Sequence, residues 1–380
     1  MRARKDISLR LLALTLVAVL LTACSSSSDS EPKTVGEGRV LFDSDVPDAE
    51  DAATRVAAAY NAEGAIPQNG SIGVYAYQHV NSTWAADFNN GAGSPKPDFM
   101  FNQKVQNTQP GSYYTYAPVK YWPNEENDKV SFIAYYPFTG SENPADPENL
   151  ANPSKTGITP LLTAENGGLP SYDFTVQDEQ DKQVDFLVSK LLTDLPTSRD
   201  QLTVNDRVHF QMFHATSKVI VSMELDESLR QELANFEVTS LRLTNLKNSG
   251  RLSYSNGNTY AWSNQSGAVA YPFTLGQPQL LLPQILDNTA EITLDYNLTF
   301  KTYGTVYQYE GVGTVKAVDG YTYSVTGASL ALTNITPTAT WQPNKIYRYR
   351  IRLSAKRIAF TAQVLEWGDE QDLNIDEWEM

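Results

Sequence analysis

A repeated two-residue alternation of apolar and polar side chains limits what this 380-residue chain can fold into more than any other feature. Ile292, Leu294, Tyr296, Leu298 and Phe300 alternate with Thr293, Asp295, Asn297, Thr299 and Lys301. Tyr347, Tyr349, Ile351 and Leu353 alternate with Arg348, Arg350 and Arg352. Neighbouring side chains on a strand point to opposite faces, so these segments can bury one face and wet the other only when extended. The same period runs through Ile72, Val74 and Ala76, through Val184, Phe186 and Val188, and through Val219, Val221, Met223 and Leu225. Val130 to Phe138 is apolar almost throughout, which predicts a strand covered on both faces. Helical periodicity is scarce. Asp226 to Phe236 is the best candidate, with Asp226 as its N-cap. Loops rich in Gly, Pro and Asn, such as Asn89 to Pro97 and Ser141 to Pro160, separate the strand signals. The pattern predicts an all-β chain of antiparallel β-sandwiches. No repeat of solenoid or propeller period is visible.

Cys24 is the one cysteine, so no disulfide can form within the chain and stability must come from the packed core. Its setting is informative. Arg2, Arg4, Lys5 and Arg10 precede a short apolar run, Leu11 to Leu20, and Leu21-Thr22-Ala23-Cys24 then places small residues before the cysteine. That order predicts a lipoprotein signal peptide over 1–23, with Cys24 as the lipidation site. The run is too short to span a bilayer and meets four serines at once. The expected product is an exported protein held to a membrane by acyl chains, each buried methylene contributing about 0.8 kcal/mol.

Residues 1–23 carry a net +3, so the remainder stands at −18 against −15 for the whole chain. Such an acidic surface argues against nucleic acid as a partner, because that binding depends on Lys and Arg neutralising phosphates. Residues 24–38 read as a flexible tether. The least structured break after that lies near Asp194 to Asp200, which predicts an N-terminal β-sandwich domain over 39–200 and a C-terminal one over 201–380.

Several segments, in order, resemble the fimbrillin family, the lipoprotein pilins of the Bacteroidota type V pilus. They are Arg39 to Val46 followed by Ala53-Thr54-Arg55, then Ile72 to Tyr77, Asp98 to Val105, Tyr114 to Pro123, Val130 to Pro137, Asp185 to Ser189 and Val208 to Lys218. The resemblance implies two transthyretin-like sandwich domains and a subunit that acts in cell adhesion. It implies export to the outer membrane as a surface-exposed lipoprotein, and an arginine-specific cut that removes the first strand. A strand from another pilin subunit then fills the vacated place by donor-strand exchange. In this sequence the cut falls at Arg55, in an acidic, alanine-rich loop of the kind proteases reach. Arg39 is a weaker candidate, because cutting there spares the strand. The tail Gly368 to Met380 departs from a stalk pilin. It is strongly acidic, and only Leu373, Ile375 and Trp378 suit a groove. That directs attention to tip, accessory or anchor roles in the fimbrium, with host proteins or glycans as further partners. The competing reading is a monomeric carbohydrate-binding surface lipoprotein that stacks exposed aromatics on sugars.

Catalytic signals are missing. His79, His209 and His214 are the only histidines, and the last two, five apart, fall on opposite faces of a strand. No HExxH, P-loop or Gly-x-Ser-x-Gly occurs. The acidic groups Glu125, Glu126 and Asp128, and Asp178, Glu179 and Asp181, lack the ordered spacing of a calcium loop and read as solvated loops. Trp84, Trp122, Trp262 and Trp341 read as core. The expectation is a protein without enzymatic activity, metal or cofactor.

Overall fold

A computed structural model describes residues 38–46, 66–89, 95–109, 113–140, 151–163, 166–196, 207–255, 259–301, 307–309, 315–317, 321–335, 339–354 and 358–367. The signal peptide, Cys24, Arg55 and the acidic tail lie outside the described residues.

The strands of the first half are β1 (Phe42–Asp45), β2 (Ser71–His79), β3 (Met100–Gln106), β4 (Lys129–Tyr136), β5 (Ile158–Pro160), β6 (Ser171–Thr175), β7 (Leu187–Ser189) and β8 (Leu192–Pro196). They continue with β9 (Val208–His214), β10 (Ser217–Leu225), β11 (Leu233–Leu246), β12 (Ser249–Tyr254), β13 (Tyr260–Ser266), β14 (Val269–Pro272) and β15 (Pro278–Leu281). The last are β16 (Glu291–Phe300), β17 (Tyr307–Tyr309), β18 (Val315–Ala317), β19 (Tyr321–Ala331), β20 (Lys345–Leu353) and β21 (Ile358–Glu366). Among the described residues three short α-helices interrupt them: α1 (Trp84–Asn89), α2 (Pro153–Thr156) and α3 (Glu227–Glu232). The fold is all-β.

A seven-stranded sheet runs β1-β9-β7-β4-β2-β3, with β8 also on β4. Three four-stranded sheets follow the orders β15-β10-β20-β21, β14-β11-β16-β19 and β13-β12-β6-β5. The last joins strands from both halves of the chain. Most pairs are antiparallel, but β1 runs parallel to β9 and β10 parallel to β20.

β4 is apolar almost throughout because the seven-stranded sheet packs on both faces. Ile133 and Tyr135 point into a large core shared with β6, β10, β11, β16 and β20. Phe132, Ala134 and Tyr136 point into a second core, which holds Phe42, Val74, Phe210 and Trp122. On β16 the alternation is realised as read: Ile292, Leu294, Tyr296 and Leu298 are buried and the residues between them are half-exposed. Asp226 caps α3 by accepting from the Ser228 amide at 3.1 Å. The helix stops at Glu232, because Leu233 onward pairs with β16. The long non-local ladder outweighs local helix propensity there.

The large core is rich in tyrosine. Tyr75, Tyr77, Tyr135, Tyr172 and Tyr254 all titrate above the ordinary 10.0, because burial penalises the phenolate. Tyr114, Tyr116 and Tyr260 are pushed by burial to about 12. A fold that keeps its tyrosines protonated is stable below the unfolded value and loses stability as pH rises beyond it. Thermal unfolding followed between pH 8 and 11.5 is therefore expected to show a falling midpoint that sets in near pH 10. An unchanged midpoint across that range would mean that these hydroxyls ionise freely in the native state.

Candidate functional site

The first strand and its seat concentrate the features that a replaceable element needs. Val40, Phe42, Ser44 and Val46 occupy alternate positions, so an extended backbone sends all four to one face. All four are buried, Val40 and Phe42 completely, while Leu41, Asp43 and Asp45 stand half-buried on the other face. The Phe42 ring stacks on Phe210 at 5.9 Å and meets Tyr116 and Phe132 edge-on at 5.3 and 5.8 Å.

The backbone of this strand is satisfied on both sides. On one side β9 lies parallel, with Phe42 opposite Val208 and Asp43 opposite His209, and the Val208 amide donates to Leu41 O at 2.7 Å. On the other side the irregular segment 113–122 supplies partners. The Tyr114 amide donates to Phe42 O, the Trp122 amide to Gly38 O, and Val40 donates to Lys120 O, each at 3.0 Å. The Tyr116 hydroxyl donates to Val40 O at 2.8 Å. Withdrawing the strand would leave an apolar trough floored by Phe132 and Phe210 and flanked by unpaired amides. Another extended segment is the natural occupant of such a trough.

Charged groups fasten the outer face. Asp43 pairs with the Arg207 guanidinium at 2.9 Å and with His209 Nδ1 at 2.8 Å, and His209 Nε2 lies 3.4 Å from Asp45. The hydrogen bond to Asp43 raises the His209 pKa above its ordinary 6.5, against partial desolvation. Arg207 also lies 4.3 Å over the Tyr113 ring.

A second cluster has the atom order of a hydrolytic triad. Asp87 Oδ2 lies 2.6 Å from His79 Nδ1, and His79 Nε2 lies 2.9 Å from Ser131 Oγ. Its setting is not that of a nucleophile. Ser131 and His79 are completely buried, and Ser131 Oγ also accepts the Asp194 amide at 3.0 Å. No acyl group reaches that hydroxyl in this conformation. The contacts instead join β2, α1, β4 and β8. Sequence motifs could not reveal this cluster, since Ser131 sits mid-strand, 52 residues from His79.

The remaining sequence candidates fall as follows. His214 is buried on Asp185, with Nδ1 at 2.8 Å from Oδ1, on the strand face opposite His209. Asp128 is buried and accepts from Gln78 Nε2 and the Asn81 amide at 2.8 and 3.1 Å, so it holds a turn together. Glu179 faces Lys182 at the surface. Among the described residues no group of three or more His, Cys, Asp or Glu is placed to hold a metal ion. Trp84, Trp122 and Trp341 are buried and Trp262 is half-buried, its indole N–H donating to Ala215 O at 2.9 Å. Sugar stacking would therefore fall to exposed tyrosines such as Tyr121 and Tyr323.

A family model described as fimbrillin-like matches residues 54–367, which covers most of the chain but begins after the first strand. Among solved structures, a fimbrial protein from Bacteroides vulgatus ATCC 8482 aligns with a TM-score of 0.60 at 16% identity, over 87% of this chain and 99% of that one. A Bacteroides uniformis ATCC 8492 protein proposed to act in cell adhesion aligns with a TM-score of 0.48 at 15% identity, over 87% and 100%. The tip fimbrial protein Mfa3 from Porphyromonas gingivalis aligns with a TM-score of 0.34 at 14% identity, over 87% and 100%. The first of these likenesses supports the fold. A comparison with curated protein sequences finds no match.

Proposed function

The chain belongs to the fimbrillin-like family, and on that premise we propose that it is a fimbrial subunit, of tip, accessory or anchor type, acting in cell adhesion by strand exchange. One observation carries the mechanism. The first strand is apolar on its inner face, stands at the edge of its sheet and is separated from Ile66 by residues 47–65, so one cut in that segment severs its covalent link without touching the rest of the sheet. Its loss opens the trough over Phe132 and Phe210, and an extended segment from another subunit closes it. Such contacts are head-to-tail and propagate. No catalysis by the protein is involved.

In this reading Cys24 carries the lipid that delivers the precursor to the outer membrane, and Arg55 is the processing site. The acidic tail after Trp367 supports a terminal place in the fimbrium over a stalk place, because burying its carboxylates in a neighbour's trough would be costly. The two-domain division stands as part of the same proposal, with β9, although it follows the sequence break near residue 200, counted in the sheet of the first domain.

The test is the N-terminus of the surface protein from its own cell. A start at Val56 supports cleavage and an open trough. A start at lipidated Cys24 means that the trough stays filled, which leaves an anchor subunit or a stand-alone binder. Arg55→Ala should leave the precursor uncut and still folded, with no heat-sensitive ladder of oligomers on a gel. Normal processing of that variant removes Arg55 from the scheme.

A further inference from the structure

We propose that Arg207 and His209 form a two-part cationic clamp on the first strand, and that the His209 part opens when its imidazole loses a proton. The geometry is specific. Asp43 and Asp45 leave β1 on its outer face, Asp43 directly across from His209 in the parallel register and Asp45 across from Gln211. His209 reaches both carboxylates, Nδ1 to Asp43 at 2.8 Å and Nε2 to Asp45 at 3.4 Å. A protonated imidazole carries an N–H on each nitrogen and can serve both acids. A neutral imidazole carries one. Whichever nitrogen is bare then turns a lone pair toward a carboxylate, so one attraction becomes a repulsion. Arg207, held 2.9 Å from Asp43 and stacked on Tyr113, keeps its charge throughout.

Among the described residues, His209 faces Asp43 and Asp45 from β1, and Arg207 from the segment entering β9 shares Asp43 with it. Tyr113, from the segment 113–122, covers Arg207, and Lys190 stands over Phe213 further along the same strand face. Two acids against one permanent cation leave the imidazole proton favoured, and the upward shift of its pKa by Asp43 agrees. The clamp contribution is present below pH 6.5 and is lost as pH rises through the raised value. The strand is thus held more firmly in mildly acidic surroundings and loosened in mildly alkaline ones. The biological meaning rests on the strand-exchange reading, but the clamp itself does not.

Hydrogen exchange of the intact, uncut chain tests it. Amide protection of a peptide covering 40–46, corrected for the intrinsic rate at each pH, is compared with a peptide covering 129–136. From pH 5.5 to 8.5 the 40–46 protection should fall about fivefold relative to the reference. His209→Gln should abolish that slope. Arg207→Gln should lower protection at every pH and keep the slope. A flat wild-type profile, or a slope that survives in His209→Gln, overturns the proposal. Because the assay needs neither cleavage nor a partner, a chain that never polymerises can still pass it, and one that polymerises can fail it.

Discussion

Replacing Phe42 with alanine is expected to undock the first strand while the rest of the protein stays folded. Phe42 is completely buried and touches three rings, and its removal leaves a hole that Phe132, on the central β4, cannot collapse to fill. Phe→Ala changes at such sites cost about 3–5 kcal/mol. The cost falls on one short edge strand. Beyond its side-chain contacts, β1 holds on through its ladder with β9 and a few bonds to 113–122. A loss of this size is comparable to what those bonds supply together, at about 1 kcal/mol net each, so the strand opens while the cores behind it stay packed. Hydrogen exchange should show collapse of protection in 40–46 and in 113–122. The β16 strand, in the other core, should stay protected. If all segments lose protection together, the first strand is an integral part of a single cooperative fold and not a separable one. If 40–46 stays protected, the Phe42 ring is not the anchor. On the strand-exchange reading, the same variant should accept a competing strand without being cut.

Parts of this picture were legible in the sequence for a plain reason: side-chain period reports local burial. The Ile292–Phe300 alternation became a half-buried strand, and the nearly continuous apolar run of Val130 to Phe138 became a strand between two cores. Asp226 read as a cap because capping is a contact between near neighbours. What could not be read depends on pairings between distant segments. Nothing local says that Phe42 lies opposite Val208, and hence that Asp43 would meet Arg207 and His209. Equally silent is the joining of β6 to β12 across the middle of the chain, which sets Arg251 against Asp173 at 2.7 Å. β9 follows residue 200 yet belongs to the sheet of the first half, because its inward residues Phe210 and Met212 match the core beneath Phe42. The strand length of Leu233 to Leu246 escaped for the same reason, since β16 and not the local sequence decides it.

Trp367→Ala is the second change with a large expected effect, at the opposite end of the described chain. The last described strand, β21, forms the edge of its sheet and, among the described residues, has β20 as its one strand neighbour. Trp367 follows it at once and is buried on Ile220, Leu280 and Ile346. Its indole stacks on the His214 ring at 3.6 Å, and the Lys218 ammonium lies 4.8 Å above it. His214 is itself fixed by Asp185, so one side chain joins the end of β21 to β9, β10 and the segment before β7. Removing a buried tryptophan costs about 3–5 kcal/mol, with its ring contacts inside that sum. Urea unfolding should report a loss of that size. Trp367→Phe should recover a large part of it, because a ring can still lie on His214. A loss below about 1 kcal/mol would show that the end of β21 is held by its ladder alone.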